Sequence, residues 1–135
     1  MNGKVIAVSL VVGDQQAALD FYTNQVGFEK RTDVTGPGGY RYVTVGLKGQ
    51  DLEIALYQQG SVSQVNSKNW KPASNPPISV GVENCMATFE QLASRGVKFL
   101  QEKPEVHPWG TSATFSDLDG NLISVNQFSA PTNRK

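Results

Sequence analysis

The chain uses the same local grammar twice: a β-branched apolar run, a polar capping residue, a stretch of helical periodicity, then a glycine stop. The first copy opens with Val5-Ile6-Ala7-Val8-Ser9-Leu10-Val11-Val12, which reads as a strand. Gly13-Asp14 follows, and the Asp14 carboxylate is suited to accept from the free N–H groups of a helix start. Gln15 to Gln25 comes next: Ala18, Phe21, Tyr22 and Gln25-Val26 recur at helical spacing, and Gly27 ends the pattern. In the second copy Ile78-Ser79-Val80-Gly81-Val82 is the strand and Asn84 the cap. Met86, Phe89, Leu92 and Ala93 form the helix face, and Gly96 is the stop before Val97 to Leu100. Val8 thus corresponds to Ile78, Asp14 to Asn84, Ala17 to Ala87 and Gly27 to Gly96. An internal repeat of a supersecondary unit limits the architectures open to the chain more than any single motif does.

Each copy ends in a strand hairpin. Tyr40–Leu47 and Asp51–Gln58 flank Lys48-Gly49-Gln50, while Thr111–Ser116 and Asn121–Phe128 flank Asp119-Gly120, a pair that predicts a type I′ turn. The fold class expected is therefore α+β: two βαβββ modules forming a curved mixed sheet, helices on one face and a cup on the other. The chain of 135 residues suits one domain. Its expected parts are module one at about 4–59, a polar linker at about 60–76, and module two at about 77–128. The linker reads either as a lid or dimer contact or as an ordered surface connection. The tail Ala130–Lys135 reads as frayed. Strand alternation points Val8, Leu10, Val12, Leu52, Ile54 and Leu56 towards the helices. It points Ala7, Ser9, Val11, Glu53, Ala55 and Tyr57 into the cup, with Pro77, Ser79, Gly81, Leu122, Ser124 and Asn126 following the same parity.

Lys plus Arg equals Asp plus Glu at 12 each, with no block of like charge. Nothing in that balance favours a nucleic acid or an anionic membrane surface. The N-terminal residues have no signal-peptide character, and no apolar run is long enough to span a bilayer, so a cytoplasmic location is expected. Cys85 is the single cysteine, which removes intrachain disulfides and cysteine-rich zinc sites, and it reads as a packing residue. Gly36-Pro37-Gly38-Gly39 lacks the strand-to-helix context of a phosphate loop.

The run from Val8 to Tyr22, with Phe21-Tyr22 on the helix, resembles the opening strand and helix of the vicinal oxygen chelate superfamily. That superfamily includes glyoxalase I, bleomycin-resistance proteins and extradiol dioxygenases. Val26-Gly27-Phe28 resembles its helix exit, Asp117-Leu118-Asp119-Gly120-Asn121 its closing hairpin, and His107-Pro108-Trp109-Gly110 a loop of glyoxalase-related members. The resemblance covers about Val5 to Gln127. It implies that metal ligands, where the family has them, would occupy the positions of Ala7, Glu53, Pro77 and Ser124. Only Glu53 offers a strong donor, so no metal and no other cofactor is expected.

Glu53 reads in two ways. It is a carboxylate that binds a cationic or hydrogen-bonding ligand, or serves as a base if burial raises its pKa; or it is neutralised by an arginine or backbone N–H groups and is structural. His107 is an exposed loop residue, or an acid, base or substitute ligand at the rim. Trp109 lids the cup and stacks on a flat ligand, or packs on a strand. Tyr42 and Tyr57 supply amphipathic walls, and Phe115 belongs to the ligand site or to the core. Ser9, Ser79, Ser124 and Asn126 are small or polar cup-facing positions, and Trp70 anchors the linker, closes the cup or joins an interface.

The function expected is metal-independent small-molecule binding like that of the bleomycin-resistance branch. Its partner set is a small-molecule ligand and a second copy in a homodimer, with no nucleic acid and no membrane. The rival is a glyoxalase-related lyase or isomerase, or a dioxygenase-like enzyme, with an altered metal site using Glu53 and His107.

Overall fold

Two modules with one chain path emerge in the computed structural model, which describes residues 1–60 and 70–129. The chain divides into two compact units, Met1–Lys71 and Pro72–Lys135. Most of the expected linker (61–69) and the tail from Ala130 lie outside the described residues.

In the first unit β1 (Ala7–Val12) leads to helix α1 (Gln15–Asp20), with the Asp14 carboxylate accepting from Ala17 N at 3.0 Å. Such a cap contributes about 1 kcal/mol. β1 starts later than expected, because Val5 and Ile6 lie exposed ahead of the ladder. The predicted single helix changes character at Phe21. Residues Phe21–Val26 widen into a π-helix, and Tyr22 O accepts from both Gly27 N (3.1 Å) and Phe28 N (2.8 Å). Gly27, at φ 98°, makes the left-handed exit. That exit returns Phe28 onto buried Tyr22, ring centroids 5.8 Å apart. β2 (Glu29–Thr35), β3 (Arg41–Gly46) and β4 (Glu53–Gln58) complete a sheet of order β1-β4-β3-β2, in which β1 and β4 are parallel and the other pairs antiparallel. Leu10, Val12, Val43, Val45, Ile54 and Leu56 share one face and are buried with Ala18, Leu19 and Phe21 of the helical segment. Each such side chain gains roughly 1.5–3 kcal/mol from leaving water.

The second unit repeats the order. β5 (Ile78–Gly81) precedes α2 (Cys85–Ser94), capped by Asn84 Oδ1 accepting from Ala87 N at 2.9 Å. β6 (Lys98–Phe99) and β7 (Glu105–His107) both pair with β8 (Gly110–Ser116), which pairs with β9 (Leu122–Phe128), itself parallel to β5. The position held by one strand in the first unit is thus shared by two short ones. Ile123, Val125, Ala113 and Phe115 are buried on the helix side with Cys85 and Leu92.

Two expectations need correction here. The β8–β9 hairpin is not type I′, since Gly120 (φ 88°) has a positive φ and Asp119 does not. Instead the buried Asp117 carboxylate gathers Asp119 N, Asn121 N and Asn121 Nδ2 at 2.8–2.9 Å and builds the turn by side-chain hydrogen bonding. Phe115, placed among ligand-binding residues, is a core residue. It lies opposite Ile123, is 1% exposed, and packs edge-on against Phe99 at 5.7 Å.

Candidate functional site

Alternation along the strands leaves each unit a second face, turned away from its helix, and the two faces carry different chemistry. On the first unit the register sets Ala7 beside Glu53 and Thr44 beside Ala55, so Ser9, Glu53, Tyr57, Tyr42 and Thr44 share that face. Glu53 is partly exposed. Its Oε1 accepts from Thr44 Oγ1 at 2.5 Å and from Thr32 Oγ1 at 3.0 Å. Thr44, fully buried, accepts in turn from Thr32 N at 3.0 Å. The two hydroxyl donors, Thr44 first, hold the Glu53 carboxyl below the ordinary glutamate range, and the Arg31 charge adds a weaker pull in the same direction. The Arg31 guanidinium is engaged elsewhere: Nε lies 3.4 Å from Glu29, and Nη2 donates to Leu47 O. Tyr42 and Tyr57 pack edge to face, 6.1 Å between centroids. Burial raises the Tyr42 phenol, and Tyr57 and Glu53 add to the effect. A cleft of about 630 Å³ opens here, bordered by Ile6, Ala7, Thr32, Tyr42 and Glu53.

On the second unit the face is a field of hydroxyls with an aromatic end. Ser79 lies beside Ser124, Thr114 opposite Ser124, and Ser112 opposite Asn126. Ser124 Oγ donates to Ser79 Oγ at 2.7 Å, and Asn126 Nδ2 donates to Ser124 Oγ at 3.1 Å. His107 ends β7 opposite Gly110, with its Nε2 2.9 Å from Ser112 Oγ in a hydrogen bond. Its ring lies parallel to Trp109 at 4.7 Å, and Trp109 meets Phe128 at 5.6 Å. Trp109 remains 44% exposed, so its indole is open to contact.

A family model for the Glyoxalase/Bleomycin resistance protein/Dioxygenase superfamily matches residues 4–125. The chain belongs to this superfamily. Among superfamily relatives, the uncharacterized protein YetH of Bacillus subtilis (strain 168) is 30% identical over 94% of this chain and 100% of its own length. A superfamily member from Sphaerobacter thermophilus DSM 20745 is 32% identical, covers 93% of this chain and 98% of its own, and superposes with a TM-score of 0.80. TnmS3, an antibiotic binding protein from Streptomyces sp. CB03234, is 34% identical over 95% of this chain and 98% of its own, with a TM-score of 0.77.

The resemblance implied metal ligands at the positions of Ala7, Glu53, Pro77 and Ser124. The residues present do not fit a divalent ion. Ala7 and Pro77 offer no side-chain donor, Ser124 is a neutral hydroxyl bonded to Ser79, and one oxygen of Glu53 already accepts two hydroxyls. Pro77 also precedes β5, and the strand partner of Ser124 is Ser79. Among the described residues no group of three or more His, Cys, Asp or Glu is arranged to hold a metal ion.

Of the residues picked from sequence, Ser9, Tyr42, Glu53 and Tyr57 share the helix-free face of the first unit, and Ser79, Ser124 and Asn126 that of the second. His107 and Trp109 stack on each other at the end of β8. Trp70 is partly exposed. Cys85 is buried, and burial raises its thiol pKa, which suits packing rather than reactivity. Thr32, Thr44, Ser112, Thr114 and Phe128 were not anticipated. The alternation of Ser112, Thr114 and Ser116 with Ala113 and Phe115 carried the signal for two of them.

Proposed function

We propose that this chain binds a small organic molecule without a bound metal and without transforming it. One observation carries the reading: two threonine hydroxyls clamp Glu53 as a stable anion, at the position where catalytic relatives place a metal ligand. A carboxylate stabilised in this way is a weaker base, which disfavours proton abstraction and suits fixed recognition. On the first unit Ser9, Tyr42, Glu53 and Tyr57 supply the contacts; the second unit's own face offers Ser79, Ser124, Asn126 and Trp109. His107 is positioned by Ser112 and Trp109 to add a ring nitrogen. A mostly apolar wall with a few placed polar groups is the usual make-up of a ligand site. The description of TnmS3 as an antibiotic binding protein supports the same direction. The reading includes a homodimer and a cytoplasmic location. No helix among the described residues is long and apolar enough to cross a membrane.

Thermal-shift screening of chelator-treated protein against an antibiotic panel tests the proposal, with mass spectrometry of the recovered compound. A ligand at about 100 times its Kd should stabilise the fold by about 2.7 kcal/mol and be recovered unchanged. Chemical conversion of the hit, or binding that requires a restored divalent ion, would contradict the reading. Sedimentation velocity tests the dimer separately.

A further inference from the structure

The first unit's cleft contains an unbalanced charge. Two ionisable groups at its border, Lys4 and Asp51, face each other at 3.9 Å in a solvent-exposed pair, so they largely cancel. Glu53 has no such partner. No lysine, arginine or histidine nitrogen among the described residues forms an ion pair with it, and the nearby Arg31 is bound to Glu29 and to Leu47 O. Both hydroxyl donors use Oε1, while Oε2 accepts no hydrogen bond among the described residues. An anionic oxygen that is fixed in place and partly shielded, with Arg31 acting on it only through space and no cation paired to it, favours a cation over a neutral or anionic group.

The rest of the lining specifies the body that cation would carry. The Tyr42 ring borders the cleft and is braced by Tyr57 at 6.1 Å, so an aromatic face stands close to the carboxylate. Cation–π attraction and charge-assisted hydrogen bonding then reinforce each other. Val5, Ile6 and Ala7 form an apolar border, with Val5 and Ile6 exposed at 72% and 69%, beyond what a solvated strand end requires. One available carboxylate oxygen is too few donors for a bare metal ion, but enough for an N–H of an ammonium or amidinium group.

We infer that this cleft receives the protonated nitrogen of an organic amine, with Glu53 as counter-ion, Tyr42 as aromatic platform and Val5–Ala7 against the ligand's apolar body. The inference rests on the small-molecule binding reading and names the chemical class that the first unit selects.

Three probes of similar shape test it by 15N HSQC titration of the full chain: phenethylamine, 2-phenylethanol and 3-phenylpropanoate. Phenethylamine should shift the amides of Ala7, Thr32, Tyr42 and Glu53 and saturate. The alcohol should bind about tenfold more weakly and the carboxylate weaker still. Added salt should weaken amine binding and leave the alcohol unaffected. Glu53→Gln should remove the preference for the amine over the alcohol. If that variant does not fold, the salt comparison on the unmodified chain still separates charge-driven binding from apolar binding. Equal affinity for amine and alcohol, amine shifts centred elsewhere, or silence from all three probes overturns the inference. Stabilisation by an uncharged antibiotic alongside any of those results would leave the wider binding proposal standing.

Discussion

The two units follow the same path through space and offer different chemistry. Both run strand, capped helix, glycine exit and three strand positions, with the first strand at the sheet edge, parallel to the last. On the helix side they are close equivalents, both apolar and buried. On the other side the first presents a clamped carboxylate and a packed tyrosine pair, and the second a hydroxyl field ending in His107, Trp109 and Phe128. Burial requirements set the helix-facing residues, so any repeat of this unit must resemble its twin there. The opposite face is under no such demand, and its residue types are where ligand selection can reside.

Substitutions that strike one unit and spare the other sharpen this contrast. Gly110→Ala should be the most damaging. At φ 152° its Cβ would lie 1.9 Å from the Gln127 carbonyl oxygen, a backbone atom that cannot swing aside. A loss of about 3 kcal/mol or more in denaturant unfolding is expected, together with loss of the His107–Trp109 stack. In the first unit Gly46→Ala meets only the Arg31 guanidinium, at 2.9 Å, which can move, so a cost of roughly 1 kcal/mol is expected. Comparable losses for both would remove the asymmetry. Asp117→Ala comes next. It strands Asp119 N, Asn121 N and Asn121 Nδ2 in a buried turn of the second unit and should cost roughly 2–3 kcal/mol. The corresponding first-unit turn, closed by Gln50 N to Leu47 O, has no such side-chain bracket, so Lys48→Ala should leave stability within about 0.5 kcal/mol.

Thr44→Val tests the clamp on Glu53. It removes one hydroxyl donor and leaves Thr32 N without its acceptor. Stability should fall by about 1–2 kcal/mol, and the Glu53 titration should move upward. The smallest effect concerns Asp33, whose carboxyl the Arg41 fork lowers from 3.8 to about 2. A depressed folded-state pKa contributes stability that is complete above about 3.8 and is lost as pH falls through about 2. Asp33→Asn should therefore flatten the acid limb of urea midpoints in that window and change little at neutral pH. An unchanged acid limb would detach Asp33 from it.

The repeat, both helix caps and the parity of β1, β4, β5 and β9 were legible in the sequence because each depends on residues adjacent along the chain. What depends on neighbours across the sheet was not. Thr32 reaches Glu53 because β2 shifts register between Lys30 and Asp33, and nothing in the local pattern announces that irregularity. The π-helix at Phe21 was hidden because over six residues its apolar spacing reads as an ordinary helix. His107 was expected in an exposed loop. It sits in a strand because Gly110 permits a tight return that pairs the two residues. Phe115 was open to the ligand site or the core, and its place opposite Ile123, 1% exposed, puts it in the core.

The central claim is that Glu53 is a fixed, metal-free anion. It is tested most directly by a 13C NMR titration of the Glu53 side-chain carboxyl, with and without equimolar Mn2+. The account predicts a midpoint below the ordinary glutamate value of 4.5 and no selective paramagnetic broadening of Glu53, Thr44 or Ala7. A midpoint at or above 4.5, or stoichiometric broadening centred on those residues, would contradict it.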